Sequence, residues 1–233
     1  MFYEVQSKEE AKKCLKKNFP EKAEEECDNV IDKKWEDGIK RLEKEIPAKY
    51  RNASLSDLGD RRVEIIRVIK KMMNIEDVTD EIGVIFSGEA GTGKSHTAYA
   101  VLKSLINFNP SSVSAMYDYQ ELMADLKKEF YKGIDESSGS IWDSVFNWSG
   151  GCRNLLFIDD LSSKRMTDFE LEKILMCVNR RINDIFPLFI TTNVKQSEFI
   201  KVFGERLASR LIGSFHIIEF TGADRRTLKN KMK

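Results

Sequence analysis

The sequence predicts an α/β protein: a parallel β-sheet with helices on both faces. Three observations point there. From residue 82 onward, short apolar runs alternate with helical patterns. A glycine-rich loop, Gly88-Glu89-Ala90-Gly91-Thr92-Gly93-Lys94-Ser95, lies between one such run and the helical stretch after it. A further run, Leu155 to Ile158, ends in the paired acids Asp159 and Asp160. With 233 residues the chain can bury one sizeable core and carry a small appendage.

Composition narrows the classes of function. Lys and Arg together number 38, as do Asp and Glu, so no global charge calls for nucleic acid and any such contact needs a local patch. Cys14, Cys27, Cys152 and Cys177 form no C-x-x-C pair, and only His96 and His216 could assist them, which argues for reduced thiols and against a zinc site. No apolar run approaches the roughly 18 residues of a membrane span, and Met1–Gln6 has neither part of a signal peptide. The expectation is a cytoplasmic protein with no membrane partner.

Taken in order, the elements begin with a Lys/Glu-rich N-terminal extension, residues 1–46. Ser7 with Glu9 and Glu10 marks a helix start, running to about Lys17. After Pro20, Ala23, Cys27, Ile31, Trp35, Ile39, Leu42 and Ile46 step by three or four, which predicts a long helix with one apolar stripe. That stripe either lies on the main domain or docks a partner. Pro47 ends the helix. Residues 47–73 form a linker, capped at Ser54 or Ser56, and a helix over Arg61–Met73 with Val63, Ile65, Ile66 and Ile69 on its apolar side. The core occupies residues 74–233. Its strands are predicted at Gly83–Ser87, Val113–Tyr117, Leu155–Asp159, Leu188–Thr192 and His216–Phe220, and its helices near 94–107, 119–131, 168–185 and 196–211. A short helical turn is expected around Ile141–Trp148.

The loop fits G-x-x-x-x-G-K-[ST] at Gly88, Gly93, Lys94 and Ser95, in the strand–helix setting the motif requires. Its glycines let backbone N–H groups turn toward phosphates, and the helix that follows presents its positive end to them. Lys94 is assigned to the β- and γ-phosphates of ATP. The Ser95 hydroxyl is assigned to Mg2+, and His96 is counted with the nucleotide-binding residues. Asp159, at the C-terminal edge of the sheet, is assigned to Mg2+, directly or through water. Asp160 is placed to orient or activate the attacking water. A third strand, "LFITTN", ends in Asn193, whose side chain can reach the γ-phosphate or hold that water. Strands also end in Asn for turn reasons alone.

In this order the residues resemble an AAA+ ATPase: Walker A at 88–95, Walker B at 155–160, sensor 1 at Asn193. More narrowly the chain is similar to the DnaC/DnaI-type replicative helicase loaders, a clade that also holds the IstB-type transposition ATPases. "IPAKYRNASLSDL", "YDYQELMADLKKEF", "FGERLASRL" and "EFTGADRR" carry that likeness over residues 46 to 226. The resemblance implies a P-loop AAA+ core with a short N-terminal helical extension and no full C-terminal lid. It makes Arg210 an arginine finger acting in trans on a neighbouring subunit, with Arg206 as an assistant or an ion-pair partner. It makes Arg226 sensor 2, with Arg225 the alternative. A surface salt bridge is the plainer role for each of these arginines. Asp160 stands where many AAA+ proteins have Glu, one methylene longer, which implies slow hydrolysis, and Arg210 acting in trans would make it assembly-dependent.

As function, the resemblance implies an ATP-dependent loader that binds single-stranded DNA and delivers a hexameric replicative helicase. Lys127, Lys128 and Lys132, with Phe130 and Tyr131 among them, suit backbone tracking with base stacking. Glu121, Asp125 and Glu129 share the helix, however, and mixed-charge helices are commonly just solvated. The alternative is an IstB-like ATPase regulating a transposase on duplex DNA. A nucleotide kinase is disfavoured, since "ITTN" and "GERLASR" have no role in one.

Overall fold

In the computed structural model the described residues are Lys33, Glu36, Asp37, Lys40 and Lys44, then 46–59, 61–73, 81–108, 115–132, 141, 145–146, 155–161 and 164–224. The predicted helix from Ser7 and most of the stripe from Ala23 to Leu42 lie outside them. The five described positions between 33 and 44 are helical and exposed, and Ile46, the last residue of the stripe, is buried. Among the described residues no helix is long and apolar enough to cross a membrane.

The contacts divide the chain into two units. The first comprises residues 1–70 and 96–114. Its described elements are 3-10 turns at Ala48–Tyr50 and Leu55–Leu58, most of helix α1 (Arg61–Met73), and all but the first two residues of helix α2 (Lys94–Phe108). Ser54 caps the second turn in a reciprocal box with Asp57, as the linker sequence predicts. The linker is held to α2 at three places. Tyr50 stacks on Tyr99 with ring centroids 4.5 Å apart, and Lys103 Nζ donates to the carbonyls of Arg51 and Ala53. His96 Nε2 lies 3.1 Å from Asp57 Oδ2. The Ser54 backbone N–H, helped by His96, holds the Asp57 carboxyl below its usual range. Partial burial pushes the Lys103 ammonium down.

The second unit, residues 71–95 and 115–233, contains the sheet. Its strands are β1 (Gly83–Gly88), β2 (Ala115–Asp118), β3 (Leu156–Leu161), β4 (Leu188–Thr192) and β5 (Phe215–Phe220). They run parallel in the order β2-β3-β4-β1-β5. Non-sequential neighbours require crossovers. These include helices α3 (Tyr119–Lys132), α4 (Asp168–Asp184) and α5 (Phe199–Ser214). Leu156, Ile158, Leu188, Ile190 and Ile85 point to one face and pack with Leu122 and Leu126 of α3, Ile174 and Val178 of α4, and Phe203 and Leu207 of α5. Phe86, Phe157 and Phe189 alternate to the other face, where Phe86 meets Phe189 and Phe220 edge-on. Every residue of β1 and β4 is buried, so both faces of the central strands are covered, as the apolar runs predict.

Two elements differ from the sequence expectation. The acid-bearing strand does not end at Asp159. It continues to Leu161, because Asp160 adopts a left-handed backbone (φ 57°) that lets the ladder resume beyond the acids. The segment 196–211 is not one helix. A 3-10 turn at Gln196–Glu198 precedes α5, and α5 is itself interrupted at Gly204 (φ 76°, ψ 162°). Only glycine takes that conformation without a steric cost. Ile141 and Val145 are helical, in keeping with the turn expected there.

Candidate nucleotide-binding and hydrolysis site

The loop after β1 owes its path to close backbone approach. At Gly88 (φ 129°) an added Cβ would stand 2.1 Å from the Phe220 carbonyl oxygen of β5. At Gly91 (φ 76°) it would stand 1.9 Å from Asp224 Oδ1. No side chain fits either place, so the loop passes bare backbone between β5 and the chain that follows it. Thr92 Oγ1 and Lys94 Nζ both donate to the Glu89 carbonyl, at 2.8 and 2.6 Å. That closes the loop around the start of α2, where the positive end of the helix dipole favours an anion. Lys94 is only 6% exposed. A buried ammonium needs polar or anionic company to offset its desolvation, which suits it to a phosphate.

The acids sit opposite. Ser95 Oγ donates to Asp159 Oδ1 at 2.9 Å, joining the loop to β3. Thr191 Oγ1 of β4 donates to the same oxygen at 2.5 Å and accepts the Asp160 N–H at 2.8 Å. Asn193 Nδ2 donates to Asp160 Oδ1 at 2.7 Å. The structure therefore brings Lys94, Ser95, Asp159, Asp160 and Asn193 to one edge of the sheet, as their motifs predict. Behind them, Ser87 Oγ donates to the Val194 carbonyl and Thr192 Oγ1 to the Leu161 carbonyl, tying β1 and β3 to the end of β4. At the rim Lys195 pairs with Glu89 at 2.9 Å. The hydrogen bond and charge of Lys195 hold the Glu89 carboxyl below its usual range, and Glu89 raises the Lys195 ammonium in return.

The donor set fits magnesium. A serine hydroxyl and a carboxylate within hydrogen-bond distance are the hard oxygen donors that would suit Mg2+. No cluster of three or more His, Cys, Asp or Glu with metal-ligand geometry occurs among the described residues.

The other predicted residues are placed as follows. His96 opens the portion of α2 that belongs to the first unit, and its ring faces Asp57. Arg206 and Arg210 are both exposed on α5. Arg225, Arg226 and the Lys132 side chain lie outside the described residues. Lys127 is 3.7 Å from Glu170 and stands over the Phe169 ring, while Lys128 pairs with Asp125 at 2.6 Å. Beside them Phe130 and Tyr131 are 64% and 80% exposed, with ring centroids 5.5 Å apart.

Sequence reasoning missed Thr191, Lys195, Asp224 and the anchoring pair Ser87 and Thr192. A signal existed for the threonines. "FITTN" puts two hydroxyls at the end of an otherwise apolar buried strand, and buried hydroxyls need partners. Residues 191 and 193 also share one face by strand alternation.

No family model matches the chain. The replicative helicase loader DnaC of Escherichia coli K12 is 29% identical over 127 residues, which cover 54% of this chain and 49% of the relative. The chain thus matches about half the length of that curated relative. A crystal structure of the DnaC helicase loader superposes with a TM-score of 0.62 at 22% identity, over 75% of this chain and all of that one. The replication initiator DnaA bound to AMPPCP and single-stranded DNA superposes with a TM-score of 0.58 at 16% identity, over 81% of this chain and 56% of that one. A parallel five-stranded sheet, a glycine-rich loop tied through Ser95 to the acids of β3, and these likenesses converge: the fold is the AAA+ P-loop fold, and over about half its length the sequence is similar to that of the DnaC replicative helicase loader.

Proposed function

We propose that this protein is a Mg2+-dependent ATPase that acts as a helicase loader in DNA replication. The observation that carries the nucleotide reading is the 2.9 Å bond from Ser95 to Asp159, which couples the phosphate loop to the acid-bearing strand. ATP binds with its phosphates along Gly88, Glu89, Ala90, Gly91, Thr92 and Gly93, and Lys94 leaves the Glu89 carbonyl for the β- and γ-phosphates. Ser95 and Asp159 hold Mg2+, which neutralises phosphate charge when bound. Asp160, steered by Asn193, positions the attacking water. Its short side chain keeps turnover slow.

Arg210 completes the site of a neighbouring copy, and Arg226 senses the γ-phosphate. An exposed guanidinium on α5 is accessible to such a neighbour. Catalysis then depends on assembly.

The loader reading is supported by the DnaC likeness over 127 residues. Residues 1–46 dock the hexameric helicase in this scheme, with 47–73 leading into the core. Single-stranded DNA runs along α3, where the Phe130 and Tyr131 rings offer stacking surfaces and Lys128 exchanges Asp125 for phosphate. Exposed ion pairs such as that one are worth about 0–1 kcal/mol, so the exchange is cheap.

The test combines the full-length chain with the replicative helicase of its own host, with and without ATP. Expected are an ATP-dependent complex in light scattering, cross-links from residues 1–46 to the helicase, and faster helicase entry onto circular single-stranded DNA. ATP binding without any helicase complex refutes the loader reading and leaves the nucleotide reading standing.

A further inference from the structure

We propose that Thr191 is a positioning residue for hydrolysis, a group that fixes both acids of β3 at once. The inference rests on the nucleotide reading above but concerns a residue outside both the glycine-rich loop and the acid-bearing strand. Pairing between β3 and β4 runs from Ile158 with Ile190 directly to Leu161 with Thr192. Two residues of β3, Asp159 and Asp160, therefore face a single residue of β4, Thr191. That is a β-bulge, and a bulge leaves an extra backbone group without its ladder partner.

The Thr191 side chain supplies the missing partner. The Asp160 N–H can only donate, so Thr191 Oγ1 accepts it at 2.8 Å. The one hydroxyl hydrogen then goes to Asp159 Oδ1 at 2.5 Å. The directions of both bonds follow from the donor inventory alone. Thr191 is 1% exposed, so water does not substitute for it.

Two consequences concern the chemistry. Asp159 receives Thr191 and Ser95 on the same oxygen, which fixes the carboxylate's rotation and turns Oδ2 away from both donors. When Ser95 turns to the metal, Thr191 remains as the bond that keeps Asp159 oriented. Asp160 meanwhile holds a left-handed backbone (φ 57°), a conformation uncommon for a residue other than glycine. It is from that conformation that its carboxylate meets Asn193 at 2.7 Å. Thr191 thus divides the two adjacent acids between metal and water.

The experiment compares wild type, Thr191→Val and Thr191→Ser. Valine keeps the shape and the strand preference but loses both bonds; serine keeps both bonds. Thermal unfolding establishes that each variant is folded, and Thr191→Ala takes the place of the valine variant if that one is not. Fluorescent ATP is titrated with excess Mg2+ and again with EDTA, and steady-state turnover is measured against Mg2+ concentration. Thr191→Val is expected to bind ATP in EDTA within about twofold of wild type and to lose roughly tenfold of the Mg2+-dependent gain in affinity. It is expected to lose a further tenfold or so in kcat, with Thr191→Ser recovering most of both. A valine variant that matches wild type in Mg2+ dependence and kcat overturns the proposal while the ATPase reading stands. The same holds if valine and serine variants are impaired alike. A wild type that neither binds nor turns over MgATP overturns the nucleotide reading, and this proposal with it.

Discussion

Replacing Lys94 by alanine separates nucleotide binding from folding. In the structure the ammonium is 6% exposed and donates to the Glu89 carbonyl at 2.6 Å, so it sits desolvated in the loop proposed to bind phosphate. Hydrogen bonds to charged groups contribute roughly 1.5–3 kcal/mol. At about 1.4 kcal/mol per tenfold, Lys94→Ala should weaken ATP by roughly 10- to 150-fold. Stability should respond differently. Removing the ammonium abolishes the desolvation cost of a buried charge, and the Glu89 carbonyl still accepts from Thr92 at 2.8 Å. Unfolding should therefore shift by no more than about 1 kcal/mol, and Lys94→Met, which keeps the stem, should shift it less. Isothermal titration with a non-hydrolysable ATP analogue, alongside thermal unfolding without nucleotide, measures both quantities. Wild-type affinity in a folded Lys94→Ala protein would refute the assignment of this loop. Equal losses of affinity and stability would mean that the lysine serves the fold rather than the phosphates.

Asp160→Asn should keep MgATP affinity and lose turnover by a factor of roughly 10² or more, whereas Asp159→Asn should lose the Mg2+-dependent part of the affinity itself; identical behaviour in binding and steady-state assays would reject this division. Arg210→Ala should retain ATP affinity and lose turnover, by less than the 10³–10⁵ reached by arginine fingers elsewhere because Asp160 is a modest water-positioning group. Mixing Arg210→Ala with Asp160→Asn should restore part of the rate, and no recovery in verified mixed assemblies would assign Arg210 to its own subunit. Cys177 is fully enclosed in α4, and burial pushes its thiol up to about 11 against the partial opposition of Arg181. Its contribution to stability is complete below the ordinary thiol pKa near 9 and is lost as pH rises through 11, so alkylation at pH 8, mapped by mass spectrometry, should be far slower in folded than in unfolded protein. Rapid modification of Cys177 in folded protein would contradict the packing of α4 on the sheet.

The sequence by itself determined the class of fold and marked out the candidate phosphate loop. Alternation of apolar runs with helical periods is a local property, and β4 was found at its observed limits, with the other strands within one or two residues. Gly88, Lys94 and Ser95 were legible because turn chemistry and motif spacing span eight consecutive residues. Three matters were decided only by the tertiary structure. The bulge at Asp159–Asp160 exists because β3 lies beside β4, and that adjacency brings Thr191, 31 positions away, under both acids. The break of α5 at Gly204 was hidden because glycine inside a helical pattern reads the same whether or not the backbone departs from the helix. Lys127 looked like one of three equivalent cations on α3, yet it meets Glu170 and Phe169 of another helix. For the bulge and for Lys127 the deciding contact joins residues distant in sequence, which only the order and register of the packed elements can bring together.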